Sequence, residues 1–321
     1  MSVPSRVTIV EVGPRDGLQN EKLTLSPQIR AELINRLAAA GLIRIEAGSF
    51  VSPAAVPQMA RTDQTLALVL KQNLRLAVLV PNLRGLADAF AAGADEIAVF
   101  AAASETFSKR NINCSIEESL QRYAEVVAEA RRHGVGVRGY VSCALGCPYE
   151  GAVDGARVVS VAGALLEMGC FEVSLGDTIG VGAPLEACRL VERVARVASL
   201  DKIAVHFHDT YGQALANIFA CLETGVSIVD SSVAGLGGCP FAPGAAGNVA
   251  TEDVVYMLQR MDVETGVSLD RLLAAGAFAC AQLDRAPASS VARAYGARGM
   301  NADSLSKGFA ATDLCSTTRG K

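Results

Sequence analysis

The chain has 321 residues, 50% of them hydrophobic and 19% charged, with a formal net charge of -4. That length and apolar content suit one large α/β domain or two ordinary ones, and the absence of any Lys/Arg cluster argues against nucleic-acid binding, which requires phosphate neutralisation. No apolar run reaches bilayer-spanning length, so no membrane partner is expected, and residues 1–6 lack a charged-then-apolar signal, which leads us to expect a cytoplasmic protein.

In chain order, β-rich apolar runs recur roughly every 20 to 40 residues, each followed by a helical stretch, the pattern of successive βα units. The predicted strands are residues 7–13, 42–48, 75–81, 96–102, 136–143, 171–177, 202–209 and 228–235. Glycines Gly41, Gly93, Gly134, Gly169 and Gly225 stand where helices should end before the next strand, the usual left-handed terminators. Eight units, strands apolar on both faces and no Gly-x-Gly-x-x-Gly after the first strand predict a (β/α)8 TIM barrel rather than a doubly wound sheet. Residues 251–261 and 269–283 read as additional C-terminal helices. We therefore divide the chain into a barrel with its helices, residues 1–285, and a loosely ordered tail, residues 286–321.

A barrel carries its chemistry at the C-terminal ends of its strands. Arg15 and Asp16 follow the first predicted strand, Glu46 and Ser49 belong to the second, Asn82 follows the third, Ser104 and Glu105 the fourth, Ser142 lies on the fifth, Asp177 and Thr178 end the sixth, and His206, His208 and Asp209 end the seventh. Helix capping accounts for some of these singly, but poorly for the feature recurring on so many strands. In His206-Phe207-His208 the two imidazoles project to one side of a strand, where they either bind a metal or pack as core histidines. With Asp16 and Asn248 at other strand ends, two nitrogen and two oxygen donors suit Mg2+ or Mn2+ with open positions better than a closed zinc site. The remaining histidine of three, His133, follows Arg131-Arg132 at a helix end and is assigned to the helix terminus.

Nine cysteines without a secretion signal read as reduced thiols, most of them small core residues. Cys143 and Cys147 lack the second Cys/His pair of a structural zinc site. Cys239 differs: it sits among Gly235, Gly237, Gly238, Gly244 and Gly247 just past the eighth strand. There it is either a nucleophile or acid on a closing loop or an incidental thiol in a surface loop.

The segments Val10–Glu21, Ser49–Pro53, Asn111–Ser119, Arg138–Gly151, His206–Asn217 and the Cys239 glycine loop resemble the 3-hydroxy-3-methylglutaryl-CoA lyase family, over about Val7 to Leu283. The resemblance implies Mg2+ or Mn2+ held by Asp16, His206, His208 and Asn248, and Cys239 as the catalytic thiol, with Arg15, Asp16 and Glu46 completing the catalytic set. It implies substrate contacts from Arg15, Gln19, Lys22, Ser142, Asp177 and Thr178; Lys22 and Arg110, on loops toward the rim, either contact the CoA phosphates or are ordinary solvated loop charges. Its reaction would be cleavage of an acyl-CoA, 3-hydroxy-3-methylglutaryl-CoA or a close 3-alkyl analogue, to acetyl-CoA and a 3-oxoacid in branched-chain catabolism, by a homodimer. Two departures stand out. Phe207 lies between the histidines where animal members carry cysteine, and Ala47-Gly48 replace bulkier residues, so Gly48 is expected near the pocket floor, altering the room for the 3-substituent. Two other readings remain: a Claisen-condensing acyltransferase related to isopropylmalate or citramalate synthase, and a non-catalytic metal-binding barrel scaffold.

Overall fold

The structure, a computed structural model, describes residues 3–71, 73–238 and 247–297. Eight short apolar runs form the strands β1 (Thr8–Glu11), β2 (Arg44–Ser49), β3 (Arg75–Leu79), β4 (Glu96–Ala102), β5 (Gly136–Ser142), β6 (Glu172–Asp177), β7 (Ile203–Phe207) and β8 (Ile228–Ser231). They close in sequence order into a barrel, every neighbour parallel, with β8 pairing back on β1. The helices are α1 (Pro27–Ala39), α2 (Thr62–Leu68), α3 (Leu83–Ala91), α4 (Glu105–Ile112), α5 (Ile116–Arg132), α6 (Gly155–Met168), α7 (Pro184–Val194), α8 (Ala214–Glu223), α9 (Thr251–Arg260), α10 (Leu269–Gln282) and α11 (Ser290–Ala297). All five predicted terminator glycines have positive φ, so the TIM-barrel expectation holds together with the signal that separated its units.

Alternation along the strands sorts the side chains. On β4, Ile97, Val99 and Ala101 join the apolar cluster shared with the helices, as do Val173 and Leu175 on β6 and Val205 and Phe207 on β7. The opposite face carries charge: Arg138 on β5 reaches Asp230 on β8, a non-adjacent strand, so their contact crosses the barrel interior. One strand breaks the alternation. Glu46 pairs with Ala77 but Gly48 with Val78, so Ala47 is an extra residue bulged out of the ladder. The bulge turns Glu46 inward and Gly48 outward, where a Cβ would lie 2.6 Å from Thr62 Oγ1 on α2. Gly48 therefore faces the helical layer and not the pocket floor. The sequence expectation failed because a residue spacing of two does not survive a bulge.

Several strands are shorter than predicted because the chain leaves the ladder to carry polar residues over the barrel mouth. After β1, Gly13–Gly17 coils into a π-helical turn in which Asp16 and Gly17 donate to Val12 O; such turns recur at functional sites. After β8, Val233–Gly235 forms a single 3-10 turn. Part of the segment beyond Ala286 is helix α11, tied down where Ser289 Oγ and the Val291 N–H both donate to Asp253 Oδ1 at 2.7 and 2.8 Å; residues 298–321 of the expected tail lie outside the described residues.

Candidate active site

The π-helical turn presents two neighbouring charges that diverge. Arg15 Nη1 lies 2.8 Å from Asp16 Oδ1 and Arg15 Nη2 lies 2.7 Å from Glu46 Oε2. The guanidinium is buried at 7% exposure, which disfavours its charge, but the two carboxylates outweigh that cost and push its pKa further up. Burial likewise opposes ionisation of Asp16, yet Arg15, His206 and His208 hold its carboxyl down to about 2. Glu46 moves the other way: burial raises it despite Arg15, and its Oε1 finds no hydrogen-bond donor among the described residues.

β7 delivers the two imidazoles to one side as the strand alternation requires, with ring centroids 5.6 Å apart. One ligand atom each from Asp16, His206 and His208 lie within 4.8 Å of one another. His208 is lowered to about 4 by burial and by His206 beside it, so it is neutral at physiological pH, and its buried Nδ1 has no partner among the described residues. A neutral imidazole with an orphaned nitrogen, a second imidazole and a deprotonated carboxylate fit a divalent cation. Asn248 enters from the segment that pairs beside His208 beyond the end of β7, and its Nδ2 donates to Asp16 Oδ2 at 2.8 Å.

A cavity of about 460 Å3 opens over this cluster. Its polar end is Arg15, Asp16, Gln19, Ser142, Thr178, His206 and His208, while Val51, Val56, Leu79, Phe100, Phe107 and Ile112 form an apolar flank. Gln19, Ser142 and Thr178 thus reach the cavity as read from the sequence. Lys22 does not, because it lies beyond the turn on exposed chain and is absent from the lining. Asp177 also stays out of the lining: its carboxylate, fully buried, accepts from the N–H groups of Val181 (3.2 Å) and Gly182 (2.8 Å) and so shapes the loop after β6. Glu46 lies beneath Arg15 rather than on the cavity wall. Arg110 sits 4.3 Å over the Tyr149 ring and outside the lining. Asn82 and Ser104 turn out to be helix caps, accepting from the N–H groups of Gly85 and Phe107, although Asn82 also lines the cavity. His133 serves its helix end, bonded to Glu129 at 3.0 Å.

Sequence reasoning missed a run of alternating charge that crosses the barrel interior to the donor cluster. Arg44 pairs with Glu172 (2.9 Å), Glu172 with Arg138 (2.5 Å), Arg138 with Asp230 (2.6 Å), and Asp230 with His206 (3.3 Å). Tyr140 lies between Arg138 and Arg15, its ring 4.9 and 5.7 Å from their guanidinium carbons. The available signal was a charged residue at an inward position of an otherwise apolar strand, as in Val137-Arg138-Gly139 and Val229-Asp230-Ser231. Arg122 and Asn111, from α5 and α4, were missed as cavity residues because helix positions carry no strand-end signature.

Cys239 lies outside the described residues, but both approaches to it are visible. Gly238 lines the cavity, and its carbonyl accepts from Asn20 Nδ2 at 3.0 Å. Gly237 has φ +124, and a Cβ on Gly247 would stand 2.5 Å from the Gly237 carbonyl carbon, so the two arms of the loop touch backbone to backbone. Behind them, Glu11 accepts from the N–H groups of Gly13 (2.8 Å) and Val233 (2.9 Å) and from Thr251 Oγ1 (2.7 Å), linking the turn of Arg15 and Asp16 to the start of the loop. Glu252 accepts from the Ala234 N–H at 2.9 Å. Burial lifts these two carboxyls to about 7 and about 8.

The chain is 54% identical over 295 residues to a Pseudomonas aeruginosa protein named 3-hydroxy-3-isohexenylglutaryl-CoA/hydroxymethylglutaryl-CoA lyase, covering 92% of this chain and 98% of that one. It is 56% identical over 297 residues to the mitochondrial hydroxymethylglutaryl-CoA lyase of Arabidopsis thaliana, covering 92% of this chain but spanning only 64% of that relative's length. The crystal structure of hydroxymethylglutaryl-CoA lyase from Pseudomonas aeruginosa superposes with a TM-score of 0.91 at 54% identity, covering 93% of this chain and all of that one. With the family described as HMGL-like matching residues 6–278, nearly the whole described barrel, the chain belongs to that family.

Proposed function

We propose that this protein is a divalent-metal-dependent carbon-carbon lyase that cleaves 3-hydroxy-3-methylglutaryl-CoA to acetyl-CoA and acetoacetate. The observation that carries the reading is the convergence of Asp16, His206 and His208 beside the buried cation Arg15 at the mouth of the barrel. Lewis acidity toward the substrate's tertiary hydroxyl is what a Mg2+ or Mn2+ held by Asp16, His206, His208 and Asn248 would supply here.

The protein's own groups divide the remaining work. Removal of the hydroxyl proton falls to Asp16, Glu46 or Cys239. Of these, Asp16 is held ionised by Arg15 and the two imidazoles but faces the donor cluster, while Glu46 is tied to Arg15. As the bond between C2 and C3 breaks, the alkoxide becomes the ketone of acetoacetate and the electron pair passes to the acetyl-CoA enolate. Arg15, held by two carboxylates and unable to lose its proton, stabilises the enolate oxygen without reorganising. Cys239 donates the proton that converts the enolate to acetyl-CoA. Apolar residues on the cavity flank support acceptance of 3-substituents longer than methyl. The family resemblance supports a homodimer. A cytoplasmic setting belongs to the same reading, and no described helix is long and apolar enough to cross a membrane.

Incubation with Mg2+ and 3-hydroxy-3-methylglutaryl-CoA tests the reading, with acetoacetate and acetyl-CoA released in equal amounts as the expected result. Release of free CoA from acetyl-CoA and a 2-oxoacid, without acetoacetate, would instead identify a condensing acyltransferase. Cys239→Ala should abolish most turnover while Mn2+ still binds; unchanged turnover in that variant would remove Cys239 from the chemistry, and a parent that binds Mn2+ but turns over neither set of substrates would return the protein to the scaffold reading.

A further inference from the structure

Asp230 sits on β8 directly opposite His206 in the β7·β8 register and is 1% exposed. Its Oδ1 takes Arg138 Nη2 at 2.6 Å. Its Oδ2 receives Arg138 Nη1 at 2.9 Å and Ser174 Oγ at 2.8 Å, with His206 Nδ1 at 3.3 Å. A carboxylate clasped on both oxygens by one guanidinium is ionised and has no proton to give. In the contact with His206, the imidazole must therefore be the donor, through Nδ1–H. The nitrogen left over is Nε2, which faces Asp16 Oδ2 at 3.9 Å within the donor cluster.

We infer that Asp230 is a positioning residue of the metal centre: clamped by Arg138, it fixes the ring orientation and tautomer of His206 so that the Nε2 lone pair is presented to the cation. A carboxylate behind a metal-binding histidine commonly changes metal affinity by about 10- to 100-fold. The arrangement also explains why a buried arginine stands in the barrel interior. Glu172 satisfies Arg138 Nε from the far side, and Arg138 holds Asp230 in a fork that leaves the carboxylate no freedom to turn away from His206.

The inference rests on the reading of Asp16, His206 and His208 as metal ligands, and the test separates the two. Mn2+ binding to the full-length protein is measured by the electron paramagnetic resonance signal of the free ion, for the parent and for the His208→Ala, Asp230→Asn and Glu172→Gln variants. Parent protein that binds no Mn2+, or binds it no more tightly than His208→Ala, overturns the metal reading itself. With that reading upheld, Asp230→Asn should lower affinity about 10- to 100-fold. Glu172→Gln disturbs the same buried arginine without touching His206, and should leave affinity within about threefold. Equal losses in the two variants, or an Asp230→Asn affinity within about threefold of the parent, would overturn the positioning role. Should Asp230→Asn fail to fold, Asp230→Glu retains the charge that Arg138 needs but displaces the oxygen from His206, and the same loss is expected. A measurement on the unaltered chain is independent of all variants: with Mg2+ bound, 15N resonances of His206 should show a protonated Nδ1 and an unprotonated Nε2, and the reverse pattern would refute the assignment.

Discussion

Substitution Gly48→Ala separates a packing role from a substrate role on the strand that carries Glu46. An added methyl would lie 2.6 Å from Thr62 Oγ1 and 2.7 Å from Thr62 Cγ2. Thr62 is 2% exposed at the start of α2 and has little room to retreat. Its hydroxyl donates to Met59 O at 2.9 Å and accepts from Arg30 Nη2 at 3.2 Å, while the other guanidinium nitrogen of that buried arginine holds the carbonyls of Gln58 and Ala60. Overpacking a filled site costs about 1–3 kcal/mol, and loss of the hydrogen bond to the arginine adds about 1.5–3 kcal/mol if Thr62 is driven from its rotamer. We expect about 2–4 kcal/mol of destabilisation, read from the guanidinium chloride midpoint at constant m value. Thr62→Ala removes both clashing atoms, so the double variant should lose less stability than the sum of the single variants. Because Gly48 faces α2, the ratio of kcat/KM for the 3-methyl and longer 3-alkyl substrates should stay within about twofold, well under the effect of about 1–3 kcal/mol that one methylene has in a pocket. An unshifted midpoint together with an altered substrate ratio would refute the reasoning and put Gly48 back on the pocket floor.

Arg15→Gln should lower kcat about 10^2- to 10^3-fold, the usual effect of removing one donor to a developing oxyanion, with Mn2+ still bound; a loss smaller than tenfold would show that another group carries the enolate charge. Burial raises Glu11 to about 7 and Glu252 to about 8 from an ordinary value of 4.5. Their contribution to stability is therefore fully present below 4.5 and is lost as pH rises through 7 and 8. Urea midpoints should accordingly fall between about pH 4.5 and pH 8, less steeply in Glu252→Gln, and parallel profiles for parent and variant would contradict the assignment. Arg122 lines the cavity. Arg122→Ala should raise KM for the polyanionic substrate several-fold with kcat little changed, and an equal fall in kcat alone would place it at the reacting atoms instead.

Most of the architecture is legible in the chain because each βα unit announces itself locally. Apolar strands, helical spacing and a terminator such as Gly169 or Gly225 are properties of a few consecutive residues. The histidine pair is legible for the same reason: one strand with a two-residue repeat aims His206 and His208 together, and the apolar residue between them, Phe207, turns outward into the core. Neighbours along the chain do not disclose which remote groups meet. Asp177 and Thr178 look alike as polar strand-end residues, yet one fastens its loop and the other faces the cavity.

The sequence by itself determined the barrel, the end of it that carries chemistry, and the residue types of the metal cluster, because strand periodicity and strand termini are written in local order. Tertiary structure alone decided that Ala47 bulges and turns Gly48 toward α2. It alone decided that Arg15 is shared between Asp16 and Glu46, and that Asp230 reaches His206 with Arg138 behind it. Those contacts join strands that lie far apart in the chain and meet only when the sheet closes. Which charge faces which is settled by the register of that closure, and the low-dielectric interior then gives each pairing its weight.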